Sequence, residues 1–160
     1  MKKIFTFMLI MLLLLTSCDP GTYNFDASEI TENALKIELV LCKNDNPVNL
    51  EVDENTVLFF DIDNIAVIDT LEQETIEPFA NELSTITFHL LPYSVNAPVG
   101  YTLLIYMNNQ EIIVISDSTI NDIFYGMVAV FSNEGDYLRH IAAFADERGF
   151  KRLLKKYFYL

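Results

Sequence analysis

Tryptophan is absent from these 160 residues, and histidine, cysteine, glycine and proline are scarce, at two, two, five and five. Each shortage removes a class of protein. Two cysteines, Cys18 and Cys42, cannot build a disulfide scaffold or a four-thiolate metal site. Two histidines leave little for metal binding or general-base chemistry, and no HExxH, CxxC, GxSxG or phosphate-cradling glycine loop occurs. His89 shares its face of an extended segment with Thr85 and Thr87, so it is expected to point outward. His140 shares a face with Leu138, Ala142 and Phe144 and reads as a core or edge histidine. Without tryptophan, the flat platform on which sugars stack is missing, and a surplus of carboxylates does not by itself identify a glycosidase pair. No catalytic residue and no cofactor is expected.

Positive charge is short as well, with 10 Lys and Arg against 23 Asp and Glu for a net charge of -13. The shortage is uneven. From Asp19 to Leu138 there are 21 acidic residues against Lys36 and Lys43 only, whereas from Arg139 onward six basic residues face Asp146 and Glu147. Such an acidic body repels nucleic-acid phosphates and anionic lipid headgroups, which argues against a nucleic-acid partner. The basic tail leaves Arg148, Lys151, Arg152, Lys155 and Lys156 as a candidate surface for an acidic protein partner or for anionic lipid headgroups.

What is present begins with Lys2 and Lys3, an apolar stretch from Ile4 to Leu15, and the small residues Thr16 and Ser17, the plan of an export signal. The stretch is shorter than the roughly 20 apolar residues that a spanning helix needs. Leu15, Thr16, Ser17 and Cys18 resemble the lipobox of bacterial lipoproteins. The resemblance implies cleavage between Ser17 and Cys18 and a diacylglyceryl group on the Cys18 sulfur. It also implies a mature chain held on the cell membrane, facing outside the cytoplasm. Each buried methylene of such an anchor adds about 0.8 kcal/mol. The stretch from "FDASEI" to "KIELVL" is similar to the opening of small uncharacterised lipoproteins of low-GC bacteria, a likeness that brings no activity with it. The expected organisation is a signal peptide at 1–17, the lipidated cysteine and a tether at 18–25, and a single α+β domain at 26–160. Cys42 then has no intrachain disulfide partner.

Within the domain, Asp26 and Glu29 have capping-box spacing and predict a brief helix through Asn33. Leu35, Ile37, Leu39 and Leu41 alternate with Lys36 and Glu38, the period of a half-buried strand, with Cys42 as a small, partly buried residue at its end. Two apolar clusters, Val57 to Phe60 and Ile65 to Ile68, flank Asp61, Asp63 and Asn64, and predict a loop or short extended piece and then a strand. From Thr75 onward, Ile76, Phe79, Ala80 and Leu83 form a helical face with Pro78 in the first turn. Residues 84–91 alternate again. Two hairpins follow, one turning at Asn108 to Gln110 and one at Ser132 to Gly135, where the glycine can supply a positive φ. A last helix opens at Asp146 and Glu147 and carries the stripe Phe150, Leu153, Leu154, Tyr157 and Phe158. The whole predicts an α+β fold, mainly an antiparallel meander with the C-terminal amphipathic helix packed on it.

Asp61, Asp63 and Asn64 are the best local candidates for a metal, because a hard cation wants several oxygens converging from a turn. The EF-hand template fails, with Ile65 and Ala66 where an oxygen ligand and a glycine are required. The function expected from the sequence is a membrane-anchored extracytoplasmic binding or interaction module. An acidic calcium-binding lipoprotein is the alternative. An envelope enzyme comes third, and requires a histidine in a pocket beside a carboxylate.

Overall fold

Asp26 ends the extended chain of β1 (Thr22–Tyr23) and starts α1 (Ala27–Asn33), its carboxylate accepting the Ser28 amide at 2.8 Å. The Ser28 hydroxyl and amide together hold the Asp26 carboxyl below the usual carboxylate range. This is a computed structural model, and it describes residues 21–42, 66–90, 100–120, 123–144 and 147–158.

Strand β2 (Ala34–Cys42) follows α1 directly. Ile37 and Leu39 are buried as expected, but the half-buried period is corrected, because Glu38 and Val40 on the other face are buried too, and so is the expected place of Leu35 in the core. The register against the neighbouring strand shifts between Ala34 and Lys36. The extra residue turns Ala34 into the core and leaves Leu35 65% exposed. Strand β3 (Ala66–Thr70) pairs with β2 at the sheet edge and leaves Val67 and Ile68 exposed.

A single 3-10 turn (Gln73–Thr75) leads into α2 (Ile76–Leu83), which buries Ile76, Phe79, Ala80 and Leu83 as the helical period requires. The alternation expected over 84–91 is seen in burial, with Ile86 and Phe88 buried and Thr85, Thr87 and His89 not, but only Phe88–His89 forms a strand, β4. Before it, the amides of Ser84, Thr85 and Ile86 donate to the carbonyls of Ala80, Glu82 and Leu83, so this stretch satisfies the open end of α2 instead of pairing in the sheet. Leu91 lies outside the described residues.

Four consecutive antiparallel strands make the centre: β5 (Gly100–Met107), β6 (Glu111–Ile120), β7 (Ile123–Ser132) and β8 (Tyr137–Phe144). Gly135 does take a positive φ, at 96°, and Gln110 takes 68° in the other turn. The last element is α3 (Glu147–Phe158). Among the described residues the sheet order is β1-β4-β8-β7-β6-β5-β2-β3, every neighbouring pair antiparallel. The fold is α+β with an open, antiparallel sheet.

Both faces of the central strands are buried. On one, Ile37, Leu103, Ile105, Ile115, Val128 and Val130 pack with the helical residues Phe79, Leu83, Phe150, Leu153, Leu154 and Phe158. On the other, Val40, Leu104, Ile112, Val114, Ala129 and Phe131 form a separate cluster edged by Cys42, Tyr106 and Tyr137. Helix α3 buries its stripe on the first face, which leaves its polar side outward.

Candidate functional site

That polar side of α3 gathers the chain's scarce positive charge. Arg148, Lys151, Arg152 and Lys155 stand at i, i+3, i+4 and i+7, the spacing of one helix face, and all four are exposed. They line an open depression of about 450 Å³. Lys156, one position on, is also exposed. The five residues singled out from the sequence therefore come together on one helix, opposite the buried Phe150, Leu153, Leu154 and Phe158.

The acidic residue they share was not foreseen. Glu82 of α2 accepts from the Lys156 ammonium, and the Arg152 Nε stands 4.0 Å from its other oxygen. The Glu82 carboxylate holds the Lys156 ammonium protonated above its ordinary range, and the ammonium also sits 5.0 Å from the centre of the Tyr157 ring. Edge-to-face contacts of Phe79 with Tyr157 and Phe158, at 5.4 and 6.3 Å, bring α2 alongside α3. No local sequence signal could have announced this pairing, since Glu82 and Lys156 are 74 residues apart.

The first described strand also has a definite place in the sheet. Thr22 is opposite His89, and His89 is opposite Ala143, so one row of the sheet joins the first described strand to the end of β8. Two strand spacings are about 10 Å. The first described strand therefore joins the sheet at the corner where β8 ends. That corner is fastened: the Leu90 amide donates to the Gly21 carbonyl, and the Asn24 side-chain amide donates to the carbonyls of Ser84 and Ile86.

A second polar group lies on the other face of the sheet. Lys36 pairs with the buried Glu38 at 2.8 Å and sits 4.2 Å over the Tyr106 ring. Burial and that carboxylate push the Tyr106 phenol well above its ordinary value, so it stays neutral. Glu38 is held by the Lys36 ammonium. Nearby, burial pushes the Cys42 thiol up, and the Thr102 hydroxyl beside it offsets part of that push without meeting hydrogen-bond geometry. This is the environment of an inert strand cysteine.

His89 is partly exposed in β4, and His140 is opposite Ala129 in β8. Ser17, Cys18, Asp61, Asp63 and Asn64 lie outside the described residues. Among the described residues, no group of three or more His, Cys, Asp or Glu is placed to hold a metal ion, and no helix is long and apolar enough to cross a membrane. The chain matches no protein-family model, no curated protein and no solved structure.

Proposed function

We propose that the protein is a bacterial lipoprotein, anchored through Cys18 to the cell membrane outside the cytoplasm, whose domain is an interaction module presenting the cationic face of α3 to an anionic partner. The observation that carries the reading is the sequence Leu15-Thr16-Ser17-Cys18 at the end of a short apolar stretch, with β1 starting only four residues later at Thr22. An acylated cysteine needs no spanning helix, and two acyl chains suffice for stable anchoring. The cationic face supports the second half of the reading, because it concentrates five of the ten basic residues on one helix of a strongly acidic chain.

The test is metabolic labelling with a fatty acid in a bacterial host, followed by fractionation. The protein is expected to take up label and to sediment with membranes, and Cys18→Ala to abolish labelling and leave uncut precursor or a released species. Cys18→Ala protein that is processed and retained as before would refute the anchor.

A further inference from the structure

We infer that the anionic partner of α3 is a second copy of this chain: the three helices form one layer, basic along α3 and acidic along α2 and α1, and two copies meet through it about a two-fold axis, α3 of each on the acidic helices of the other. The inference rests on the interaction-module reading above and names its partner. Three observations carry it.

The first is the layer. Ile30 of α1, Phe79 of α2 and Phe150 of α3 are buried in one cluster on one side of the sheet, with α1 packed beside α2 and α2 beside α3. Their outward sides therefore make one surface. The second is the division of charge across it. Arg148, Arg152 and Lys155 are exposed on α3, Glu77 on α2 with Glu72 and Glu74 just before it, and Glu29 and Glu32 on α1. Glu82 takes up Lys156 and part of the Arg152 charge within the chain, and Lys151 is engaged as well. Arg148 and Lys155 meet no carboxylate among the described residues, so α3 keeps positive charge that its own chain leaves unpaired.

The third is self-complementarity. A two-fold contact sets one patch against itself, so a patch that holds both signs side by side satisfies each of them twice. Neighbouring helices lie about 8 to 10 Å apart, as far as charge reaches at physiological salt, where the screening length is about 8 Å. The charges in contact therefore decide, and not the net charge of -13. The open depression of about 450 Å³ along α3 gives the carboxylates of the second copy a place to enter. Helices of 7, 8 and 12 residues offer an outward face on the order of 400 Å² per copy, which makes this a reversible contact and not a permanent dimer.

The experiment mixes equal amounts of unlabelled and heavy-nitrogen full-length protein in detergent, concentrated to about 1 mM so that a weak contact is populated. A zero-length carbodiimide then joins lysines to the carboxylates they touch, and mass spectrometry separates links within one copy from links of mixed isotope between two. The expected result is mixed links from Lys155 to Glu74 or Glu77 of α2, or to Glu29 or Glu32 of α1, reduced at least about tenfold in about 1 M NaCl, where the screening length falls to about 3 Å. Arg148→Glu/Lys155→Glu and Glu74→Lys/Glu77→Lys should each lose the mixed links alone. An equal mixture of the two variants should regain them, joining the introduced lysines of one to the introduced glutamates of the other. Should either variant misfold, the wild-type links and their loss in salt decide alone. Links confined to single copies overturn the inference, as do mixed links that survive both reversals separately or a mixture of variants that regains none. The mass of the Cys18 peptide in the same sample reports the anchor separately: lipid there without mixed links refutes the dimer alone, and mixed links on a chain without lipid refute the anchor alone.

Discussion

Thr102 and Ser116 sit directly across from one another on β5 and β6, 0% and 1% exposed, and neither hydroxyl meets a hydrogen-bond partner. A buried hydroxyl without a partner forfeits its hydration for nothing, at about 1 to 3 kcal/mol. Valine has the shape of threonine without that debt, and its branched carbon suits a strand. Thr102→Val is therefore expected to raise stability by about 1 kcal/mol, read as a higher denaturant midpoint at unchanged slope. A loss of similar size would mean that the hydroxyl has a partner in solution. Nothing in "GYTLLIYM" marks this site beforehand. A threonine among apolar strand residues reads as an outward position, and only the burial of the sheet's second face turns it into an orphan. Cys42 was legible by contrast, because a small residue closing an apolar strand stays half-buried in most settings.

At the scale of elements, periodicity was a sound guide wherever the chain kept strict register. Helix α2 buries the four residues that its spacing names. Both hairpins of the meander form as read, and α3 sorts its apolar and basic residues onto opposite sides. The failures share one cause, a local backbone event that the pattern does not encode. The bulge in β2 moves Leu35 out of the core, and the closing turn of α2 uses residues that alternate like a strand. The candidate site was legible because it lies on one helix; its link to Glu82 was not, because it crosses two. For α3, the stripe and the ridge separate cleanly in a mutational test. Leu154 is 2% exposed between sheet and helix, and Leu154→Ala should cost about 2 to 5 kcal/mol, the range for emptying a buried leucine site. Lys151→Glu/Lys155→Glu changes exposed charges and should shift stability by about 1 kcal/mol or less. Denaturant curves for the two variants check both, and equal losses would mean that the ridge itself holds the helix in place.

Across the whole molecule, the order β1-β4-β8 joins strands more than 50 residues apart in sequence, a pairing that closes one corner of the sheet. Adjacent hairpins announce themselves through their turns; this edge does not, since β1 and β4 are two residues each and carry no period to read. Global charge, on the other hand, is fixed by composition alone and makes a prediction of its own. The net charge of -13 means that repulsion acts across the full width of the domain, over distances of tens of ångströms. The attractive pairs are short: Arg139 meets Glu111 at 2.6 and 2.8 Å in a two-pronged contact, and Lys36 meets Glu38 at 2.8 Å. Raising NaCl from about 0.01 M to about 0.15 M shortens the screening length from about 30 Å to about 8 Å, which removes most of the long-range repulsion and little of a contact under 3 Å. The exposed pairs contribute at most about 1 kcal/mol each in any case. Stability should therefore rise with salt over this range, seen as an increase in Tm of a few degrees at neutral pH, with sulfate and other strongly excluded ions avoided so that screening alone is measured. A fall in Tm would mean that the few ion pairs outweigh the surplus charge, and that Arg139–Glu111 and Lys156–Glu82 hold the fold more firmly than their exposed positions imply.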